Sequence, residues 1–285
     1  MLLQPPQRGF TRFSTSLVFT APTEPAPGPG ATLTLGGSNT MGSVTSIMVL
    51  AHDCEQLDIW VHDNSTAATD SSSLMDVVID PAGGTAWDTT NPKIPLLPAG
   101  WLQTESNTST TGRHWTFPIW IPAGAAIGVR GQTTKATPGT PKVCMWAAGD
   151  SRDPSYWCGT RVDAIGANAA DSGGAAVDVD DLGVWGVWTN IGAVTARVYG
   201  FLHPSFQSQA SSPTSANSNS IQIELGIGGE PISHRYQFNT SASEWQFIHR
   251  PFGGIECSIP AGVQLQGRGT GMLPVTIDTI IHGVA

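Results

Sequence analysis

Charge is the first thing this sequence is short of. Asp, Glu, Lys and Arg make up 12% of its 285 residues, against about 25% in an ordinary soluble domain. The 13 basic residues form no dense stripe and the formal net charge is −9. That argues against a nucleic-acid partner, because a phosphate backbone is held by clustered Lys and Arg. Long apolar runs are missing too. No stretch approaches the about eighteen residues of a membrane-crossing helix, so no membrane insertion is expected. Met1-Leu2-Leu3-Gln4-Pro5-Pro6 lacks the apolar centre of a secretory signal, and export by the general route is not expected. The cysteines, Cys54, Cys144, Cys158 and Cys257, show neither CxxC spacing nor the density of a disulfide scaffold. Cys144 and Cys158 flank the turn-rich Asp150-Ser151-Arg152-Asp153-Pro154. They are a candidate disulfide in an oxidising setting, with free buried thiols as the alternative.

What is abundant is punctuation. Thirty-three glycines and 21 prolines, with many Ser, Thr and Asn between them, leave almost no window long enough for a stable helix. The chain reads as all-β. With 40% hydrophobic residues, ten tryptophans among them, the core is adequate and the surface is neutral and polar. Such a surface is either solvated by hydroxyls and amides or covered by neighbouring subunits, where charge is depleted and aromatics are enriched.

One stretch is used twice. Ile121-Pro122-Ala123-Gly124, followed by Ile127, Val129, Arg130 and Gly131, is matched by Ile259-Pro260-Ala261-Gly262, then Leu265, Arg268 and Gly269, at a constant offset of 138 residues. Pro in second place and Gly in fourth predict a type I turn over 121–124 and 259–262. A strand should follow each turn, with its arginine on the face opposite the apolar side chains. Around this repeat the order of elements agrees. Strands are expected over 15–21, 46–50, 57–61, 74–79 and 143–146. In the second half they are expected over 184–188, 194–202, 221–227 and 275–281. Thr11-Arg12-Phe13 is echoed by Thr160-Arg161-Val162, and Trp115-Thr116-Phe117 by Trp245-Gln246-Phe247. About seven or eight short strands per half suit a β-sandwich or jelly roll. The expected organisation is two tandem similar β-sandwich domains, residues 1–154 with an N-terminal Pro/Gly-rich arm and residues 155–285. The segment 22–30 and the excursion 87–113 are candidate interlocking arms.

Catalytic signatures are absent. No GxSxG elbow, Walker A loop, dinucleotide fingerprint or HExxH occurs, and the histidines are scattered. His52-Asp53-Cys54 reads as a hairpin turn, because consecutive residues point in different directions. A carboxylate pair could be assembled from Asp58, Asp76 and Glu224 only by the fold. Asp171, Asp178, Asp180 and Asp181 could hold Ca²⁺, but a solvated acidic turn is the simpler reading. No cofactor, no metal and no enzymatic activity are expected. Trp60, Trp120, Trp146, Trp185 and Trp188 fall in strand patterns and are assigned to the core. Trp87, Trp101 and Trp157 fall in loops and, with Arg130 and Arg268, are the candidate contacts to a neighbouring subunit or a glycan.

Three phrases carry a resemblance. Leu57-Asp58-Ile59-Trp60-Val61-His62-Asp63-Asn64-Ser65-Thr66, Val78-Ile79-Asp80-Pro81-Ala82-Gly83-Gly84-Thr85 and Phe117-Pro118-Ile119-Trp120-Ile121-Pro122-Ala123-Gly124 look like virion structural proteins of tailed bacteriophages. The resemblance covers mainly residues 43–135, and it is one of style with no diagnostic motif. It implies a β-sandwich subunit of the head decoration, neck, collar or tail, made in the host cytoplasm and placed in the virion. The implied partners are copies of itself and other virion proteins. Capsid decoration and host-glycan adsorption are the alternative roles.

Overall fold

The computed structural model describes residues 18–19, 30–62, 73–99, 113–134, 141–149, 157–181, 183–208, 219–233, 235–240, 254–272 and 275–285. Among them there is no helix. Ten strands precede residue 150: β1 Val18–Phe19, β2 Ala31–Thr32, β3 Leu35–Gly36, β4 Thr45–Val49, β5 Gln56–His62, β6 Ser73–Asp80, β7 Ile94–Pro98, β8 Arg113–Phe117, β9 Ala126–Thr133 and β10 Lys142–Ala148. They form two five-stranded sheets, one ordered β1-β10-β5-β8 with β2 on β10, the other β3-β9-β6-β7 with β4 on β9. Alternation explains the layering. On β5 Leu57, Ile59 and Val61 are buried while Gln56, Asp58 and Trp60 face out, so one side of the strand meets the other sheet.

Ten more strands follow: β11 Val162–Ile165, β12 Ala175–Asp181, β13 Thr189–Asn190, β14 Tyr199–Ser208, β15 Asn219–Ile227, β16 Glu230–Pro231, β17 Tyr236–Thr240, β18 Ile255–Ile259, β19 Leu265–Gly271 and β20 Val275–Val284. These make one ten-stranded sheet curved around its own core cluster. Its pairings repeat those of the first half. The strand after each Ile-Pro-Ala-Gly turn, β9 or β19, has a parallel neighbour on one side, Leu35↔Gly131 or Val179↔Gly269. On its other side it has an antiparallel one, Asp76↔Arg130 or Glu224↔Arg268. Leu57 faces Phe117 and Ala147 as Leu202 faces Ile255 and Gly283. One connection differs. In the first half β2 pairs with β10 and β3 with β9, with residues 33–34 between them outside any strand, whereas β12 runs unbroken from β20 to β19 and fuses the two sheets.

The repeated turn sits one residue later than the spacing predicts. Ala125 N donates to Pro122 O at 3.3 Å and Gly124 has φ 82°. Positive φ at the third residue of Pro122-Ala123-Gly124-Ala125 is the type II turn, for which glycine is the ready residue. Gly262 has φ 80° at the same place. The turn is anchored identically twice, by Gly124 N to Leu50 O at 2.8 Å and by Gly262 N to Thr195 O at 2.7 Å.

The expected strand over 184–188 does not form. The residues there are a tandem Gly183-Val184-Trp185-Gly186-Val187-Trp188 outside any strand, and the strand at that place in the pairing is β13. A period of three puts Val184 and Val187 outside and leaves the tryptophans half-buried. The next strand begins at Tyr199, not 194. Of the expected strand over 15–21, Val18–Phe19 is described. Residues 11–13, 22–29 and 245–247 lie outside the described residues.

The halves meet through a face and an edge. The outward side chains of β11, β14 and β20 lie under the β7–β8 edge of the first half, where Val162, Phe201 and Val284 join the first half's core cluster. Trp115 Nε1 donates to Ser205 Oγ at 3.1 Å, and Phe117 lies against His203 and His282 with ring centroids at 5.4 and 6.0 Å. His282 is fully buried. Its Nε2 donates to Pro95 O at 2.8 Å, and its Nδ1 finds no partner. Burial therefore pushes its pKa down to about 4 from 6.5.

A pH dependence follows from this histidine. Below 6.5 the unfolded chain takes up a proton that the folded chain refuses, so stability falls as the pH drops from 6.5 to 4. The loss through this group is up to about 3 kcal/mol. Asp58 and Asp163, held below the ordinary carboxylate range by hydrogen bonds that outweigh burial, add their losses only under pH 3.8. Urea midpoints should therefore decline between pH 6.5 and 4.5, and His282→Gln, which keeps a donor for Pro95, should flatten that decline. An equal decline in both proteins would contradict the assignment.

Candidate functional site

The arginines of the repeated stretch close internal ion pairs. Arg130 Nε and Nη2 reach Asp76 Oδ2 at 3.0 and 2.8 Å, and Nη2 also donates to Thr89 O at 2.7 Å. The other oxygen of Asp76 accepts from Leu96 N at 3.0 Å. Asp76 is buried because segment 87–96 passes over it, with Trp87 above Gly128, where a Cβ would stand 3.2 Å from the ring. Trp87 is thus a half-buried cover.

The second copy is more open. Arg268 Nε donates to buried Glu224 Oε1 at 2.7 Å, and Arg235 Nε lies 3.8 Å from Oε2. The guanidinium of Arg268 stacks 4.4 Å over Trp188 and 5.2 Å over Trp185, and that of Arg235 stands 4.9 Å over the Trp185 ring. Trp188 can lie flat on β15 because residue 226 is glycine; a Cβ there would be 2.6 Å from the ring. Two cations share one carboxylate, and cation–π contact supports both. The aromatic residues here hold arginines in place and are not core.

Surface aromatics and aliphatics are distributed unevenly. Trp60 and Trp120 are 39% and 40% exposed, and Trp146 is half-buried on the outer face of β10, so none of these three belongs to the core. Among the described residues the buried tryptophan is Trp115. Trp157 is exposed and rests one side of its ring on Gly200. Trp101 lies outside the described residues. Val184, Val187, Val194 and Val198 are all more than half exposed, as is Met272, and the four valines occupy the two segments flanking β13. Sequence reasoning missed them by forcing alternation on a Gly-Val-Trp tandem.

The remaining candidates are structural. Cys144 is buried directly across from Trp60 on β5, Cys158 lies within electrostatic reach of Cys54 and Lys93, and the candidate disulfide between Cys144 and Cys158 is not formed. Burial raises the Cys54 thiol to about 12, which leaves it inert as a nucleophile at neutral pH. Asp171 caps a turn, accepting from Asn168 Nδ2 at 2.7 Å and Gly173 N at 2.9 Å. Asp178 takes a hydrogen bond from Thr276 at 3.3 Å. Asp163 ties Arg161, Arg197 and the Tyr199 hydroxyl together at 2.9, 2.9 and 2.8 Å. Asp58, Asp76 and Glu224 are each engaged on different strands. Among the described residues no three His, Cys, Asp or Glu side chains gather to hold a metal ion, and no helix is long and apolar enough to cross a membrane. A scan against models of protein families gives no match, and a search of curated proteins gives none.

Proposed function

We propose that the chain is a non-enzymatic structural subunit which assembles with copies of itself and with other proteins of a tailed-phage virion, at the neck, collar or tail periphery. In this reading residues 1–154 and 155–285 are two copies of one β-sandwich scaffold. The duplicated turn, the repeated pairings and the repeated arginine–carboxylate pair support that view. The observation that carries the assembly reading is the exposed aliphatic pair of segments around β13. Val187 is 76% exposed and Val184 60%, on a chain whose arginines at positions 130, 161, 197 and 268 are committed to internal carboxylates. Exposed aliphatics grouped beside a neutral polar surface suit contact with protein. The virion setting rests on the resemblance of residues 57–66, 78–85 and 117–124.

Light scattering on the purified chain should give a discrete oligomer. Val187→Asp, at a position that makes no core contact, should shift it toward monomer without changing the β-sheet signal in circular dichroism. A strict monomer at high concentration would overturn the reading.

A further inference from the structure

The described residues bury one sheet face under an edge and leave Trp60 exposed on its counterpart. On β14 and β20 the outward residues His203, Ser205 and His282 are buried under the first half's β7–β8 edge. The shared registers place Asp58, Trp60 and Trp146 at the corresponding positions of β5 and β10, because Asp58 faces Trp146 as His203 faces His282. Here the face reaches solvent at Trp60.

The described side chains of that face hold one another in place. The Trp60 ring stacks on His114 with centroids 4.2 Å apart and planes at 15°, and meets Trp146 edge-on at 6.1 Å. Asp58 fixes the stack, accepting from Thr116 Oγ1 at 2.5 Å and Gln56 Nε2 at 3.0 Å and lying 3.3 Å from His114 Nε2. A large aromatic held rigid while exposed loses little entropy when another surface covers it.

The matching edge also exists. In the second half β17 pairs with β15 as β7 pairs with β6, and β18 pairs with β14 as β8 pairs with β5. Ile255 occupies the register position of Phe117, yet Phe117 is fully buried and Ile255 only half-buried. The first half's edge has a sheet face to lie on, and among the described residues the second half's edge has none.

We propose that the β5–β10 face around Trp60 is the docking surface for a second copy of this chain, which presents its β17–β18 edge as the first half presents β7–β8 internally. The inference rests on the assembly reading and names one of its contacts. Face against edge is a heterologous contact. Repeated from copy to copy it closes into a ring or runs on as a filament, and each intermolecular joint imitates the joint inside the chain.

Sedimentation velocity over a concentration series of the full chain tests it, beside Trp60→Asp and with a titration of intrinsic fluorescence by maltohexaose. Trp60 lies outside the core, so the variant should keep the far-ultraviolet spectrum of the parent. The expected result is association that Trp60→Asp weakens by at least about tenfold, with fluorescence indifferent to the sugar. Association of equal strength in Trp60→Asp would overturn the docking face and leave the assembly reading standing. A chain that stays monomeric would overturn both. A monomer whose fluorescence shifts with maltohexaose, and ceases to shift in Trp60→Asp, would assign the face to a glycan and overturn the proposal.

Discussion

Replacing Trp115 by alanine is expected to lower the free energy of unfolding by about 3–5 kcal/mol, the range found when a buried indole is truncated. Trp115 is the largest fully buried side chain among the described residues and stands on β8, whose edge meets the second half. Its loss does two things at once. A cavity opens in the first half's core, and the Ser205 hydroxyl loses the indole N–H it accepts at the junction. An orphaned buried polar group adds to the transfer and cavity terms. The urea midpoint should fall sharply, and Trp120→Ala, at an exposed site, should change it by no more than about 0.5 kcal/mol. Equal effects of the two would refute the packing described for Trp115.

The second large effect is expected for Asp76→Ala, with a loss of about 3 kcal/mol. This is the low end for a broken buried pair, since the Arg130 side chain retains 19% exposure and water can partly screen it. The carboxylate also holds the Leu96 amide, and Leu96 sits at φ 50° with no glycine to ease it. A non-glycine residue in the left-handed region stays there only while its surroundings hold it. Asp76→Asn should recover part of the loss, because an amide oxygen can still accept from Leu96 while the ionic attraction to Arg130 is gone. Chemical denaturation of the three proteins checks the order; a variant Asp76→Ala as stable as the parent would refute it.

The all-β class was readable from punctuation and pattern together, because even the long run without glycine or proline, residues 43–80, is broken by clustered Ser, Thr and Asn and alternates around Leu57, Ile59 and Val61. The duplicated edge was readable too, since a turn and the parity of the strand after it are local properties. The acids facing the two arginines were not. Asp76 and Glu224 become partners of Arg130 and Arg268 only when strands distant in sequence pair in register. The tryptophans divide the same way. Trp60 shares a parity with Gln56 and Asp58 and could have been placed on the polar face from its neighbours. Trp185 and Trp188 follow a three-residue period that imitates alternation over so short a span. Nothing local marks His282 as a junction residue, because its burial comes from Pro95 and Phe117 across the chain.

The unbroken β12 has a mechanical consequence. Its hydrogen bonds to β20 and to β19 follow one another along one backbone, so a pull along that strand loads both parts of the curved sheet in shear. In the first half, the interruption at residues 33–34 lets a pull separate β2 from β10 before it reaches β3. A chain pulled at its ends would carry tension through residues 175–181 and take up slack near residue 33, a stiff spring joined to a compliant one.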